Sequence, residues 1–284
     1  MRLHAPAKLN LCLYLGGTRA DGLHELCSLF EPLALADLIE VTPAAGGADE
    51  VLCPAVAGEN LATRALAALR AAGWSREPLR VEIEKRVPVA AGLGGGSGDA
   101  AAVLRLAAGE VAELPQIAAA LGADVPSQLR PSLALVRGAG ELVEPLPAPT
   151  PHAAVLLPDG GGLSTADVFR EADRLGLGRP AEELEELAGR LRESAGAGAS
   201  PLSYPELLVN DLEAPARSLR PAIGEALDQL RAAGAPLAIL SGSGPTAVGL
   251  FPDLGAANAA VAALDRDDAI VCAAGAAPDL EVAQ

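Results

Sequence analysis

The strongest indication of the fold is the glycine-rich segment at residues 88–101, Pro88-Val-Ala-Ala-Gly-Leu-Gly-Gly-Gly-Ser-Gly-Asp-Ala-Ala. It follows an alternating run, residues 79–87, that predicts a β-strand, and it leads into an alanine-rich run, residues 99–108, that predicts a helix. Glycines let backbone N–H groups approach a ligand closely, and a helix N-terminus attracts anions. The segment therefore predicts a strand–loop–helix unit that cradles a polyphosphate without a basic side chain.

Two common phosphate-binding patterns do not fit this loop. The Walker pattern GxxxxGK[ST] requires a lysine that the loop lacks. The dinucleotide pattern GxGxxG matches only loosely at Gly92–Gly95, without an obvious βαβ unit around it. The remaining alternative is a plain strand-to-helix turn, which needs fewer glycines than the five present here.

Composition and charge narrow the class of protein. Half of the 284 residues are hydrophobic, which is enough to form the cores of one or two domains. The net charge of -16 disfavours nucleic acids and anionic membranes as partners. The four cysteines lack CxxC or metal-ligand spacing, and no signal peptide or membrane-length apolar run is present. We therefore expect a cytoplasmic protein with reduced thiols.

Strand and helix patterns alternate in both halves, which predicts an α/β or α+β class. The proline-rich stretch Pro145–Pro151 is the best domain boundary, giving an N-terminal domain of residues 1–147 and a C-terminal domain of residues 148–284. The predicted strands are residues 9–15, 79–87, 133–136, 153–157, 237–240, 247–251 and 269–273, and residues 26–39 form a further apolar stretch. The predicted helices are residues 60–72, 99–108, 117–121, 165–175, 181–191, 221–233 and 254–264, with a further helix starting at Asp124.

The chain has only two lysines, Lys8 and Lys85, beside nineteen arginines. A lysine supplies a compact, movable point charge, whereas an arginine supplies a planar fork. In a sequence with this bias, a retained lysine indicates a site where an arginine would not serve.

Six motifs in order resemble the GHMP kinase superfamily and, within it, the branch of 4-diphosphocytidyl-2-C-methyl-D-erythritol kinases. The superfamily motifs are Pro6-Ala-Lys-Leu-Asn-Leu, the GLGGGS loop and Ser241-Gly-Ser-Gly-Pro-Thr. The branch motifs are Arg19-Ala-Asp-Gly-Leu-His-Glu-Leu, Leu121-Gly-Ala-Asp-Val-Pro and Asn210-Asp-Leu-Glu. The similarity covers nearly the whole chain.

The resemblance implies an α+β, two-domain GHMP kinase fold, with an N-terminal domain like ribosomal protein S5 and a ferredoxin-like C-terminal domain. It implies ATP and Mg²⁺ as cofactors and a cytidyl diphosphate substrate, phosphorylated on its 2-hydroxyl, in a monomer or weak homodimer of the non-mevalonate isoprenoid pathway. It also implies site residues: Lys8 and Asp124 as catalytic; Asn10, His24, Thr165 and Phe169 for substrate; Ser97 for Mg²⁺; and Pro88, Val89, Ala90, Ala91, Gly92, Leu93, Gly94, Gly95, Gly96, Ser97 and Gly98 for ATP.

Several alternatives stay open at this stage. Asp124 also fits the N-cap of a helix, and His24 also fits a structural histidine. Two positions depart from the family's usual pattern: Leu23 stands where an aromatic residue is common, and Gly98 where a polar residue is common. A GHMP kinase for another alcohol, such as homoserine or a mevalonate derivative, and a catalytically silent ligand sensor are the competing functions.

Overall fold

A long antiparallel ribbon organises the fold. In the computed structural model, which describes residues 1–282, strand β1 (Arg2–Thr18) pairs along its length with strand β2 (His24–Pro43). Strand β1 begins well before the predicted start at residue 9, because the buried polar Lys8 interrupts the apolar pattern there, and β2 extends a few residues beyond each end of the apolar stretch 26–39. Register shifts between Pro6 and Lys8 and between Asn10 and Cys12 mark bulges on either side of Lys8.

Among the described residues, the other strands extend this ribbon into one sheet. These strands are β3 (Glu50–Leu52), β4 (Leu79–Glu84), β5 (Ala134–Gly138), β6 (Leu142–Pro145), β7 (His152–Leu157), β8 (Leu237–Leu240), β9 (Ala247–Phe251), β10 (Ile270–Ala274) and β11 (Glu281–Val282). The main path runs β11-β1-β2-β10-β7-β9-β8, β4 and β5 also pair with β2, and all pairs are antiparallel except β3 with β4.

Helices cover the sheet. Asn60 caps α1 by accepting a hydrogen bond from the Thr63 N–H. Helix α2 begins at Gly95 rather than at Asp99, because tertiary contacts override the low helix propensity of glycine. The helices are α1 (Leu61–Ala71), α2 (Gly95–Arg105), α3 (Leu114–Leu121), α4 (Val125–Gln128), α5 (Thr165–Leu175), α6 (Ala181–Ala195), α7 (Glu213–Leu219), α8 (Ala222–Ala232) and α9 (Leu254–Ala263).

The main core clusters lie between these layers. In the first half, α1 and α2 pack on each other and on the β1–β2–β4 face around Leu66, Leu69 and Leu104. In the second half, α8 and α9 pack on β7, β8, β9 and β10 around Leu227 and Leu230. A third cluster joins the halves through β1, β2 and α6. The sheet is mostly antiparallel with helices packed on it, so the α+β prediction is confirmed.

Strands from the two halves of the chain pair with each other in one sheet. The proline-rich stretch lies between β6 and β7, where the boundary was predicted. However, β10 pairs with β2 at Ala274 and Leu33, and β11 returns to pair with β1. No helix within residues 1–282 is long and apolar enough to span a membrane.

Candidate active site

Lys8 and Asp124 form an ion pair at the floor of a cleft. Lys8 Nζ lies 3.3 Å from Asp124 Oδ2; the lysine side chain is 6% exposed and the carboxylate 32%. Asp124 occupies the position before α4, but its side chain makes no capping hydrogen bond. The interpretation of this carboxylate as a helix cap is therefore wrong, because it faces the ammonium group instead.

The surroundings of Lys8 hold its ammonium in one place. Nζ donates to Asn10 Oδ1 at 2.5 Å and to the Gly92 carbonyl at 3.4 Å, and it lies 4.9 Å from the centre of the Phe30 ring. Asn10 Nδ2 donates in turn to Ser28 Oγ at 3.0 Å. Asn10 lines the cleft, yet both ends of its amide have partners within the protein, so its predicted substrate contact stays a prediction.

The glycine loop lies directly against Lys8 and the Ser241-Gly-Ser-Gly turn. Gly92 and Gly94 have φ of +76° and +67°. A Cβ on Gly94 would meet Lys8 Cγ at 2.8 Å, and one on Gly92 would meet the Ser241 carbonyl oxygen at 2.6 Å. Both positions need glycine for the left-handed backbone and for close packing.

The loop residues divide into three groups. Gly92, Gly94 and Ser97 line the cleft. Ala91, Leu93 and Gly98 are buried, and a Cβ on Gly98 would meet the Pro6 carbonyl oxygen at 2.9 Å, so glycine at this departure from the family pattern serves packing of α2 on β1. The remaining predicted ATP residues do not line this cleft: Pro88, Val89, Ala90, Gly95 and Gly96.

Asp99 is not placed to join Ser97 in binding a metal ion. It is buried beneath the loop, where its Oδ2 accepts a hydrogen bond from Lys85 Nζ at 2.8 Å. Lys85 also pairs with the buried Asp37, which accepts hydrogen bonds from the Arg86 and Val87 N–H groups. Burial raises the pKa of Asp99 to about 7, although the Lys85 charge acts to lower it. This network ties β2, β4 and α2 together.

Helix α5 brings the second half of the chain over the cleft. The rings of His24 and Phe169 lie 5.1 Å apart at an interplanar angle of 41°. His24 Nε2 lies 2.7 Å from Asp173 Oδ1, and Thr165 Oγ1 lies 2.9 Å from Ser243 Oγ. A partly buried pair of rings that lines the cleft beside paired hydroxyls suits a planar base joined to polar groups.

The cleft has a volume of about 1080 Å³, the size of a site for a nucleotide-like ligand. It brings together residues from both halves of the chain that the sequence singled out. Lining it are Lys8, Asn10, His24, Gly92, Gly94, Ser97, Asp124, Thr165 and Phe169, together with Leu23, which is 54% exposed.

Asp173, Ser243 and Asn210 carry no predicted role of their own, yet all three help to form this site. Asp173 and Ser243 line it. Asn210 holds the Ser241-Gly-Ser-Gly turn, because its Nδ2 donates to the Leu240 carbonyl at 2.9 Å and the Gly242 carbonyl at 2.7 Å. The motif around Asn210 was visible in the sequence, but its partner lies about thirty residues away.

Comparisons with known proteins agree with this geometry. Models of the GHMP kinases N-terminal domain and C-terminal domain match residues 60–129 and 166–269. A 4-diphosphocytidyl-2-C-methyl-D-erythritol kinase of Anaeromyxobacter dehalogenans is 40% identical, covering 92% of this chain and 83% of that protein. One from Paracoccus denitrificans is 40% identical, covering 90% and 89%. The chain belongs to this family of GHMP kinases. It is therefore an ATP-dependent kinase, as predicted.

Solved structures extend the comparison. A 4-(cytidine 5'-diphospho)-2C-methyl-D-erythritol kinase superposes with a TM-score of 0.79 at 38% identity, covering 97% of this chain and all of that one. A homoserine kinase from Cytophaga hutchinsonii superposes with a TM-score of 0.68 at 18% identity and shares the fold alone. The GHMP kinase fold that the motifs implied is confirmed.

The residues present fit ATP and a magnesium ion. The first N–H groups of α2 have no partner within the helix and follow two glycines that line the cleft. Mg²⁺ is usually held by one or two protein oxygens plus substrate phosphates, and Ser97 supplies such an oxygen at the cleft. Within residues 1–282, no cluster of three or more His, Cys, Asp or Glu side chains forms a metal site of its own.

Proposed function

We propose that this enzyme transfers the γ-phosphate of ATP to the 2-hydroxyl of 4-diphosphocytidyl-2-C-methyl-D-erythritol, in the non-mevalonate route to isoprenoid precursors. The observation that carries the proposal is the ion pair of Lys8 and Asp124, set at 3.3 Å between the glycine loop and α5. The substrate is inferred from the names of the relatives. The cleft offers rings for its cytidyl end and the ion pair for the hydroxyl that is phosphorylated.

Asp124 is the proposed proton acceptor. A tertiary alcohol is a weak nucleophile, and a carboxylate within reach takes its proton as the new bond forms between the hydroxyl oxygen and the γ-phosphorus. The bond from the γ-phosphorus to the bridging oxygen breaks, and ADP leaves. Lys8 stabilises the negative charge that is spread over the transferring group. Because Nζ is fixed by Asn10 and Gly92, this charge needs little reorganisation.

ATP binding is assigned to the loop Pro88–Gly98, chiefly through backbone N–H groups at the start of α2. Ser97 is the proposed protein oxygen for Mg²⁺, which when bound would neutralise phosphate charge. His24 and Phe169 are assigned to the cytosine, and Thr165 to a substrate phosphate. The enzyme is proposed to work as two domains, residues 1–147 and 148–284, in the cytoplasm, where its four free cysteines stay reduced.

The test is an incubation with ATP, Mg²⁺ and 4-diphosphocytidyl-2-C-methyl-D-erythritol, with the product mass as the readout. We expect ADP and a product heavier by one phosphoryl group. Homoserine and mevalonate serve as control alcohols, and neither should be phosphorylated at a comparable rate. Phosphorylation of a control alcohol in place of the cytidyl substrate would contradict the proposal, as would ATP binding without turnover.

A further inference from the structure

His24 is held by a carboxylate from the other half of the chain. Its Nε2 lies 2.7 Å from Asp173 Oδ1 and 3.3 Å from Thr18 Oγ1. Its Nδ1 makes no hydrogen bond with residues 1–282 and is not among the buried side-chain atoms that lack a partner. Because His24 lines the cleft, Nδ1 is the ring nitrogen that is open to a ligand.

The two neighbours of Nε2 differ in chemistry. An ionised carboxylate only accepts hydrogen bonds, so Asp173 requires Nε2 to carry a proton. In the neutral ring the other nitrogen then has a lone pair and accepts. Thr18 imposes no such choice, since a hydroxyl donates as well as it accepts. Asp173 is therefore the group that decides which way the ring is protonated.

The ring's protonation bears on which pyrimidine the cleft can read. Cytosine carries a 4-amino group, a donor, at the position where uracil carries an oxygen, an acceptor. We propose that Asp173 determines base specificity: by holding the proton on Nε2, it makes His24 Nδ1 an acceptor that favours the cytosine amino group over the uracil oxygen. This inference rests on the proposed cytidyl substrate.

The placement of Asp173 on α5 supports the same role. Asp173 follows Phe169 by four residues, so both side chains lie on one face of the helix, and both line the cleft. One helix of the second half thus presents the stacking ring and the carboxylate that orients the histidine of the first half. The Asp173 side chain is 53% exposed, so its removal leaves no buried hole.

The kinetic test compares the cytidyl substrate with its uridyl counterpart at pH 8, where free imidazole is neutral. The measured quantity is the ratio of kcat/KM for the two. We expect Asp173→Ala to lower this ratio about ten-fold, mainly through weaker use of the cytidyl substrate and better use of the uridyl one. A ratio within about two-fold of wild type, or equal weakening of both substrates, would overturn the proposal.

Two matched variants control for other effects. Thr18→Val removes the second neighbour of Nε2 and leaves Asp173 in place, so the ratio should stay at the wild-type value. Asp167→Ala removes an exposed carboxylate from the same helix, one that pairs with Arg170 rather than with His24, and the ratio should again be unchanged. A shift in either control as large as that of Asp173→Ala would also overturn the proposal.

A spectroscopic test reads the tautomer directly and does not depend on the substrate. The chain has three histidines, so long-range ¹H–¹⁵N spectra of histidine-labelled protein are simple, and His24→Gln assigns the signal. We expect a protonated Nε2 and a bare Nδ1 in wild type, and a mixture of the two tautomers in Asp173→Ala. A proton on Nδ1 in wild type would overturn the proposal. A wild type that phosphorylates neither pyrimidine substrate contradicts the proposed function instead.

Discussion

At the scale of single residues, the reaction depends on the carboxylate of Asp124. Asp124→Asn keeps the shape of the side chain but cannot take a proton. Because this side chain makes no capping hydrogen bond, α4 should persist unchanged. We expect kcat to fall by about 10²–10⁴-fold, while ATP and substrate bind within a few-fold of wild type. Steady-state kinetics and calorimetric titration measure the two quantities.

A matched control tests whether the loss of kcat is specific to the carboxylate in the cleft. Asp253 also stands at a helix N-cap, where its side chain accepts a hydrogen bond from the Ala256 N–H. Asp253→Asn makes the same chemical change away from the cleft, and its kcat should equal that of wild type. If Asp124→Asn retained turnover within about three-fold, positioning and metal alone would have to account for the rate.

Arginine is not expected to replace Lys8 in catalysis. Its Nζ is enclosed by Asn10, Gly92 and the Phe30 ring, and its stem packs so closely on the loop that a Cβ on Gly94 would lie 2.8 Å from its Cγ. A guanidinium is larger and planar, so Lys8→Arg keeps the charge but does not fit this space. We expect kcat to fall at least about ten-fold with the charge retained, measured as above. Wild-type kcat in this variant would show that charge alone suffices.

The sequence predicted these two residues because each carried a local signal. Lys8 is one of two lysines in an arginine-rich chain, and Asp124 stands before a proline that starts a helix. Lys85 carried the same signal as Lys8, but its partner Asp37, 48 residues away, did not. Asp173 carried no local signal either, since its partner His24 lies 149 residues away in the chain. Long-range polar pairing is set by the tertiary fold, which local patterns do not encode.

At the scale of elements, the start of α2 depends on glycine at one position and tolerates alanine at another. Gly94→Ala forces a left-handed residue against Lys8 and should lower the stability of the free enzyme by about 1–2 kcal/mol. Gly96 lies within α2, and its Cβ would meet only Leu61 Cδ1, at 3.9 Å. Gly96→Ala should leave stability unchanged or raised. Thermal unfolding of both variants without ATP makes the comparison.

A substitution at Gly95 would test the phosphate-binding role of the loop less directly than one at Gly94. A Cβ there would lie 3.1 Å from Lys85 Nζ and from Val87 Cγ1, so a larger side chain would press on the buried network rather than on the phosphates. If Gly94→Ala proved as stable as wild type, the packing of Lys8 against the loop would not require glycine.

Helix α5 carries the base-recognition face. Phe169→Ala should weaken the cytidyl substrate about ten-fold or more and leave ATP affinity nearly unchanged, because one base–aromatic stack contributes roughly 1–3 kcal/mol. Phe169 also packs partly on the second-half core, so the unfolding temperature has to be measured alongside. Equal weakening of both ligands would place Phe169 in a purely structural role.

The elements were predicted unevenly for a physical reason. Helix α5 and strands β8 and β9 have the bounds expected from sequence, since each has a clear period and a clear stop. The sequence pattern gave no sign of α7, which contains Pro215, or of β11, which is two residues long. Strand β1 was predicted too short, because Lys8 near its start is a buried charge whose partner Asp124 lies far away in the chain.

At the scale of the whole molecule, a buried histidine–carboxylate pair joins the two halves. Glu31 on β2 and His152 on β7 lie 3.1 Å apart, and both side chains are almost fully buried. Burial raises the pKa of Glu31, and the hydrogen bond from His152 only partly opposes this. Burial lowers the pKa of His152, but the hydrogen bond and charge of Glu31 outweigh it, and the net pKa is raised.

These two shifts have the same sign, so they predict how stability depends on pH. A group with a raised folded pKa contributes stability that is complete below its unfolded pKa and is lost as pH rises through the folded value. For His152 this contribution to stability begins to be lost above pH 6.5, and for Glu31 above pH 4.5.

The reference protein for the test is the double variant Glu31→Gln with His152→Gln, in which neither position titrates and the amides can still hydrogen-bond. The difference in unfolding free energy, wild type minus double variant, should fall steadily from pH 5 to pH 8 in urea titrations. A difference that stayed flat or rose over this range would mean that the folded state does not hold these protons more tightly, and the junction between the halves would then not be sensitive to pH.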